Sequence, residues 1–230
     1  MFHLTEVELE ALRLSLIISG WAVFCSLPLG ILAAWILARL EFPGKSILDG
    51  LIHLPLVLPP VVTGYLLLVL LGRKGVVGAF IYQYTGITFA FNWKGAAMAA
   101  GVMAFPLLVR SVRLSIESID QGLEHAARTL GAGPVRVFFT ITLPLMVPGI
   151  ITGLVLAFAR SLGEFGATIT FVSNIPGQTQ TLPLALYTLT QMPEGEAGAM
   201  RLCIIAIAIA MVALIFSEYM ARRFARFIRG

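Results

Sequence analysis

The sequence predicts an all-α integral membrane protein, and three observations carry that prediction. Of 230 residues, 58% are hydrophobic and only 12% charged, against about half and about a quarter in a soluble globular domain. The mean hydropathy is +0.92, so charges are too few to cover a water-facing surface and the bilayer is the natural solvent. The uncharged residues also gather into runs of spanning length, a crossing helix taking roughly 17 to 25 residues at about 1.5 Å rise each.

The first run, 14–38, follows the acidic stretch TEVELEALR. It is too long for a secretory signal core and lacks a small-residue cleavage site, so it reads as a span. The second, 50–72, is interrupted only by His53, for which a capping or packing role is expected, and carries Pro55, Pro59, Pro60 and Gly64. Proline removes helix hydrogen bonds and kinks the axis, which suits a gate or pore lining as well as a kink satisfied by neighbouring helices. Segment 75–93 is uncharged but mixes Gln83, Gly86 and Asn92 with Tyr82, Tyr84, Phe89, Phe91 and Trp93. Such aromatics favour the headgroup level, so an interfacial helix and loop is expected, a sixth span being the alternative. Run 95–109 reaches spanning length once Lys94 and Arg110 snorkel to the interfaces. Runs 137–159 and 202–217 complete five core spans. Cys25 and Cys203 fall inside apolar runs, where they read as small core residues instead of disulfide partners or metal ligands.

With five spans the loops alternate sides. Ten of the sixteen basic residues fall on one side: Arg39, Lys45, Arg110, Arg113, Arg128, Arg136, Arg222, Arg223, Arg226 and Arg229. Cytoplasmic loops hold the excess of Lys and Arg. The loop after the third span and the C-terminus are therefore expected in the cytoplasm, and the N-terminus outside. The net charge of +4 does not indicate a nucleic-acid partner, because the basic residues flank spans and form no stripe with interleaved aromatics.

The loop after the third span changes character. Ile119, Leu123, Ala126 or Ala127, and Leu130 recur at three- and four-residue spacing, giving one apolar stripe on a short surface helix. Gln121, Glu124 and Arg128 occupy its other faces. Gly131 stands where a left-handed C-terminal cap needs glycine, and Pro134 forbids continuation.

The spacing His125-Ala126-Ala127, Gly131, Ile141, Leu143-Pro144 resembles the EAA loop of ABC importer permeases. That pattern reads Glu-Ala-Ala, three residues, Gly, nine residues, Ile, any residue, Leu-Pro. The family's Glu falls here on His125, and Glu124 stands one place earlier. The resemblance implies a MetI-like permease fold, a single domain over 1–230, and a cytoplasmic coupling helix within a loop at about 117–136. Glu124, His125, Ala126, Ala127, Leu130, Gly131, Ile141, Leu143 and Pro144 are its expected coupling residues. It also implies two cytoplasmic ATPase subunits, which use ATP and Mg, whereas this chain holds no cofactor and catalyses nothing. A second copy of the chain, an extracytoplasmic binding protein and the lipid of a bacterial inner membrane complete the expected surroundings.

Segments 40–68 and 159–191 resemble permeases for molybdate, tungstate and sulfate, most nearly the molybdate branch. A tetrahedral dianion needs hydrogen-bond donors along its path. Thr63, Thr168, Thr170, Ser173 and Asn174 offer neutral ones, and backbone N–H groups at helix starts are equally able. With Pro59, Pro60 and Glu164, the residues Thr63, Thr168 and Asn174 form the expected path or gate. Glu164 would be costly in lipid, and Arg160, four residues earlier, is its expected partner.

FPGKS at 42–46 has the end of a phosphate-binding loop, but the glycine required five places before Gly44 is Arg39. Hydrolysis therefore belongs to a partner. An ion-coupled secondary transporter would be expected to show internal repeats and intramembrane acids, and the sequence has no repeat and no acid near the centre of any apolar run. A membrane enzyme would cluster its histidines, whereas His3, His53 and His125 are scattered.

Overall fold

The computed structural model describes residues 4–229, without the side chains of residues 221, 222 and 224–229. His3 and the side chains of Arg222, Arg226 and Arg229 lie outside what it describes. The described residues form eleven α-helices in the order α1 (Glu6–Arg39), α2 (Lys45–Val57), α3 (Pro60–Leu71), α4 (Val76–Thr85), α5 (Trp93–Glu117), α6 (Gln121–Thr129), α7 (Pro134–Val137), α8 (Leu143–Leu162), α9 (Gly166–Val172), α10 (Leu182–Thr190) and α11 (Glu196–Arg229). A π-helical turn, Phe138–Thr142, joins α7 to α8. Four stretches are long and apolar enough to cross a membrane: α1, α5, α7 through α8, and α11.

Helix α1 starts with a capping box. The Glu8 amide donates to Thr5 Oγ1 at 3.3 Å and the Thr5 amide to Glu8 Oε2 at 2.8 Å, satisfying two donors that a helix start leaves orphaned. Its 34 residues run about 51 Å, so several turns extend past the apolar part.

The packing of α1 on α5 fixes the number of crossings. Gly101 of α5 lies against Ala22 and Ser26, and Gly30 of α1 lies against Leu108 and Phe105. Numbers rise together along the contact, so the two helices are parallel. Helix α8 runs the other way: Gly149 meets Ser115, Gly153 meets Leu108, and Ser161 donates to the Ala100 carbonyl at 3.4 Å. Two parallel helices need one net crossing between them, and α2 with α3 makes it. Small residues let these backbones approach, as helices in lipid require; Ala96, Ala99, Ala100 and Ala104 of α5 are all buried.

That crossing corrects the expected span over 50–72. It is two helices bent by 115°, not one kinked rod. The residue before a proline is pushed to extended backbone, and two prolines in tandem do this twice: Leu58 has ψ 142° and Pro59 ψ 134°. Pro60 then starts α3, where its missing N–H costs nothing, while Pro55 sits inside α2 without ending it.

Segment 75–93 forms the ten-residue α4 and a loop. At about 15 Å this helix does not cross. Cys25 departs from the expectation of a core residue. It is exposed and lines an apolar groove of about 910 Å³ between α1, α2 and α5, because α1 turns Ile18, Ala34 and Leu37 inward instead.

Candidate functional site

Two clusters stand out, at opposite ends of α5. The first is built on α6. Asp120 caps its start, with Oδ1 accepting from the Gly122 amide at 2.8 Å. At its end the Gly131 amide donates to the Arg128 carbonyl and the Ala132 amide to the Ala127 carbonyl, each at 3.0 Å. This is the paired-bond glycine cap, and Gly131 has the φ of +87° that it demands. The helix is thus short and stopped hard at both ends.

The side chains of α6 divide sharply. Leu123, His125, Ala126 and Leu130 are exposed, Leu130 by 89%, and Ala127 is half-buried. An apolar stripe left open on a short helix is surface awaiting a partner or lipid. Glu124 is instead buried. Its Oε1 accepts from Arg39 Nη2 at 2.9 Å and from Thr142 Oγ1 at 2.8 Å.

The two halves of the expected motif are therefore brought together. Ile141 and Leu143 are half-buried in the turn entering α8, Pro144 is exposed at its start, and Thr142 between them reaches back to α6. Arg39 and Thr142 were not singled out from the sequence as site residues. Thr142 occupies the motif's unspecified position, and Arg39 lies 85 positions from Glu124, so spacing holds no signal for either.

The second cluster lies where α3 crosses α9. Gly64 sits on the backbone of Ala167, and Gly166 sits against Pro60. Thr63 and Thr168 are buried at this junction, and the Thr63 hydroxyl has no hydrogen-bond partner among the described residues. Glu164 is 2% exposed. Arg160 Nη1 lies 2.6 Å from its Oε2, the expected pairing, and Oε1 accepts from the Ala167 amide at 2.7 Å. Glu164 thereby holds the first turn of α9.

Asn174 stands apart, beyond the far end of α9, donating to Thr188 Oγ1 of α10 at 2.8 Å. Thr170 is occupied by its own helix, donating to the Gly166 carbonyl at 2.8 Å. Pro59, Pro60, Thr63, Glu164 and Thr168 form one locus; Asn174 does not join it.

Comparison with known proteins decides the family. The profile of the "Binding-protein-dependent transport system inner membrane component" family matches residues 26–229. The chain belongs to that family. This inner membrane component is 65% identical over 219 residues to the molybdenum transport system permease protein ModB of Escherichia coli K12, covering 95% of the chain and 96% of the relative. It is 58% identical over 217 residues to the ModB of Haemophilus influenzae, covering 94% and 95%. Among solved structures, it superposes on a chain of the methionine ABC transporter MetNI in inward-facing conformations. That match has a TM-score of 0.67 at 14% identity, covering 94% of each chain, and the fold is thus that of the MetI-like permeases.

Proposed function

We propose that this chain is the translocation subunit of an ATP-driven ABC importer for molybdate in a bacterial inner membrane. The observation that carries the reading is α6: a rigid, doubly capped helix whose apolar residues Leu123 and Leu130 lie open while its acid is buried. Such a helix suits transfer of a rigid-body movement from a docked neighbour. The identity to two ModB proteins supports molybdate as the cargo. The chain itself carries out no hydrolysis; partner ATPases use ATP and Mg.

On this reading one permease domain spans 1–230, with its coupling loop at about 117–136. Glu124, His125, Ala126, Ala127, Leu130, Gly131, Ile141, Leu143 and Pro144 form the coupling region, in the cytoplasm with the C-terminus. Two copies of the chain enclose the path, two ATPases dock beneath, and a molybdate-binding protein delivers from outside. Pro59, Pro60, Thr63, Glu164 and Thr168 mark the gate, and Asn174 steadies the segment beyond it. Closure of the ATPases on ATP biases one of two arrangements of the spans.

The test is uptake of labelled molybdate into proteoliposomes holding the chain, its ATPase and the binding protein. Uptake is expected to need ATP and to persist when ion gradients are collapsed. Uptake driven by a gradient without ATP would overturn the reading, and stronger competition by sulfate or tungstate than by molybdate would move the cargo to those anions.

A further inference from the structure

Glu124 is the only residue of α6 turned fully inward. Its two partners lie on different spans. Arg39 is the last residue of α1, and Thr142 is the last residue of the π-helical turn that feeds α8. A π turn holds one residue more than an α turn would, and so rotates the succeeding helix by about 100°. The direction of Thr142 toward Glu124 therefore depends on that turn. Hydrogen bonds to an ionised group are roughly twice as strong as neutral ones, and both arrive here on one carboxylate oxygen.

We propose that Arg39, Glu124 and Thr142 form a joint that passes displacement of α6 to α1 and α8 together. Arg39 and Thr142 act as positioning residues, and the exposed Leu123, His125 and Leu130, with Arg128, meet the ATPase. His125, at the place of the motif's Glu, is exposed, and Glu124 one place earlier faces inward. Without the joint, α6 keeps its chain connections to α5 and α7 but loses its side-chain tie to α1, from which it is remote in sequence. This rests on the permease reading proposed for the chain.

The experiment uses the full complex in proteoliposomes. It records ATPase recovered per permease, ATP hydrolysed, and molybdate accumulated. Arg39→Gln and Thr142→Val are expected to keep ATPase recovery within about two-fold, while molybdate moved per ATP falls about five-fold or more, the scale of a coupling of roughly 1 kcal/mol. Thr142→Ser keeps the hydroxyl and is expected to stay within about two-fold of the unaltered ratio, whereas the near-isosteric valine does not. Unaltered ratios in Arg39→Gln and Thr142→Val would overturn the joint. So would equal losses in Thr142→Ser and Thr142→Val, or loss of the ATPase from Arg39→Gln. If the unaltered chain shows no ATP-dependent uptake, the permease reading itself fails, which is a separate outcome.

Discussion

Arg201 Nη2 and Glu8 Oε1 stand 2.7 Å apart across 193 positions of sequence, pinning the first turns of α11 to the first turns of α1. Glu8 also closes the capping box of α1, so one buried carboxylate serves both a helix start and a contact between the first and last spans. Glu8→Gln is expected to lower stability by about 3 kcal/mol, because Arg201 is left mostly buried without its counter-charge. In detergent this reads as a midpoint lower by several degrees. An unchanged midpoint would show the pair to be dispensable.

Gly131→Asp is expected to weaken recovery of the ATPase with the permease, or to uncouple it. A side chain at φ +87° is strained by about 1 kcal/mol, and nothing among the described residues lies within 4 Å of an added Cβ, so the new carboxylate points into open space on the face proposed to meet the ATPase. Gly131→Asn tolerates that backbone better and should lose less. Normal recovery and normal ATP-driven uptake in the aspartate variant would count against this view of the cap.

The crossing of α3 over α9 should be intolerant of bulk. A Cβ at Gly64 would meet the Ala167 carbonyl oxygen at 2.5 Å, and backbone cannot swing aside as a side chain can. Gly64→Val is expected to cost about 1–3 kcal/mol by overpacking and to depress uptake. Gly50→Ala, on α2 with open space around it, should leave both unaffected. Equal behaviour of the two variants would mean the close approach is relaxed at no cost.

Two copies of this chain are expected in the purified transporter. Exposed apolar side chains such as Ile207, Val212 and Ile215 on α11, with Val57 on α2, leave ample surface for both lipid and a second copy. Native mass measurement finding one copy beside a different permease would replace the homodimer.

Much of this architecture was legible from hydropathy because lipid forces long helices to satisfy their own backbone. The C-terminal end of α6 was legible too, through Gly131 and Pro134, whereas its Asp120 cap was not singled out. The elbow was only half visible. Pro55, Pro59 and Pro60 all announce a disturbance, but just the tandem pair turns the chain, and composition does not distinguish a kink from a 115° bend. Helices α9 and α10, seven and nine residues long, are too short for a periodic signal and went unforeseen. The direction of Glu124 was hidden because its partner Arg39 is fixed by the parallel contact of α1 with α5, a property of the assembled bundle.

The elbow bears on how the chain gets into the membrane. Helices α2 and α3 hold 13 and 12 residues, about 20 and 18 Å of rod, and each falls short of what a bilayer crossing requires. Neither can be threaded as an autonomous stop signal during synthesis. Residues 45–71 pack against α5 and α9, both of which follow them in the sequence, so the seat of this crossing is complete only after those helices have been made.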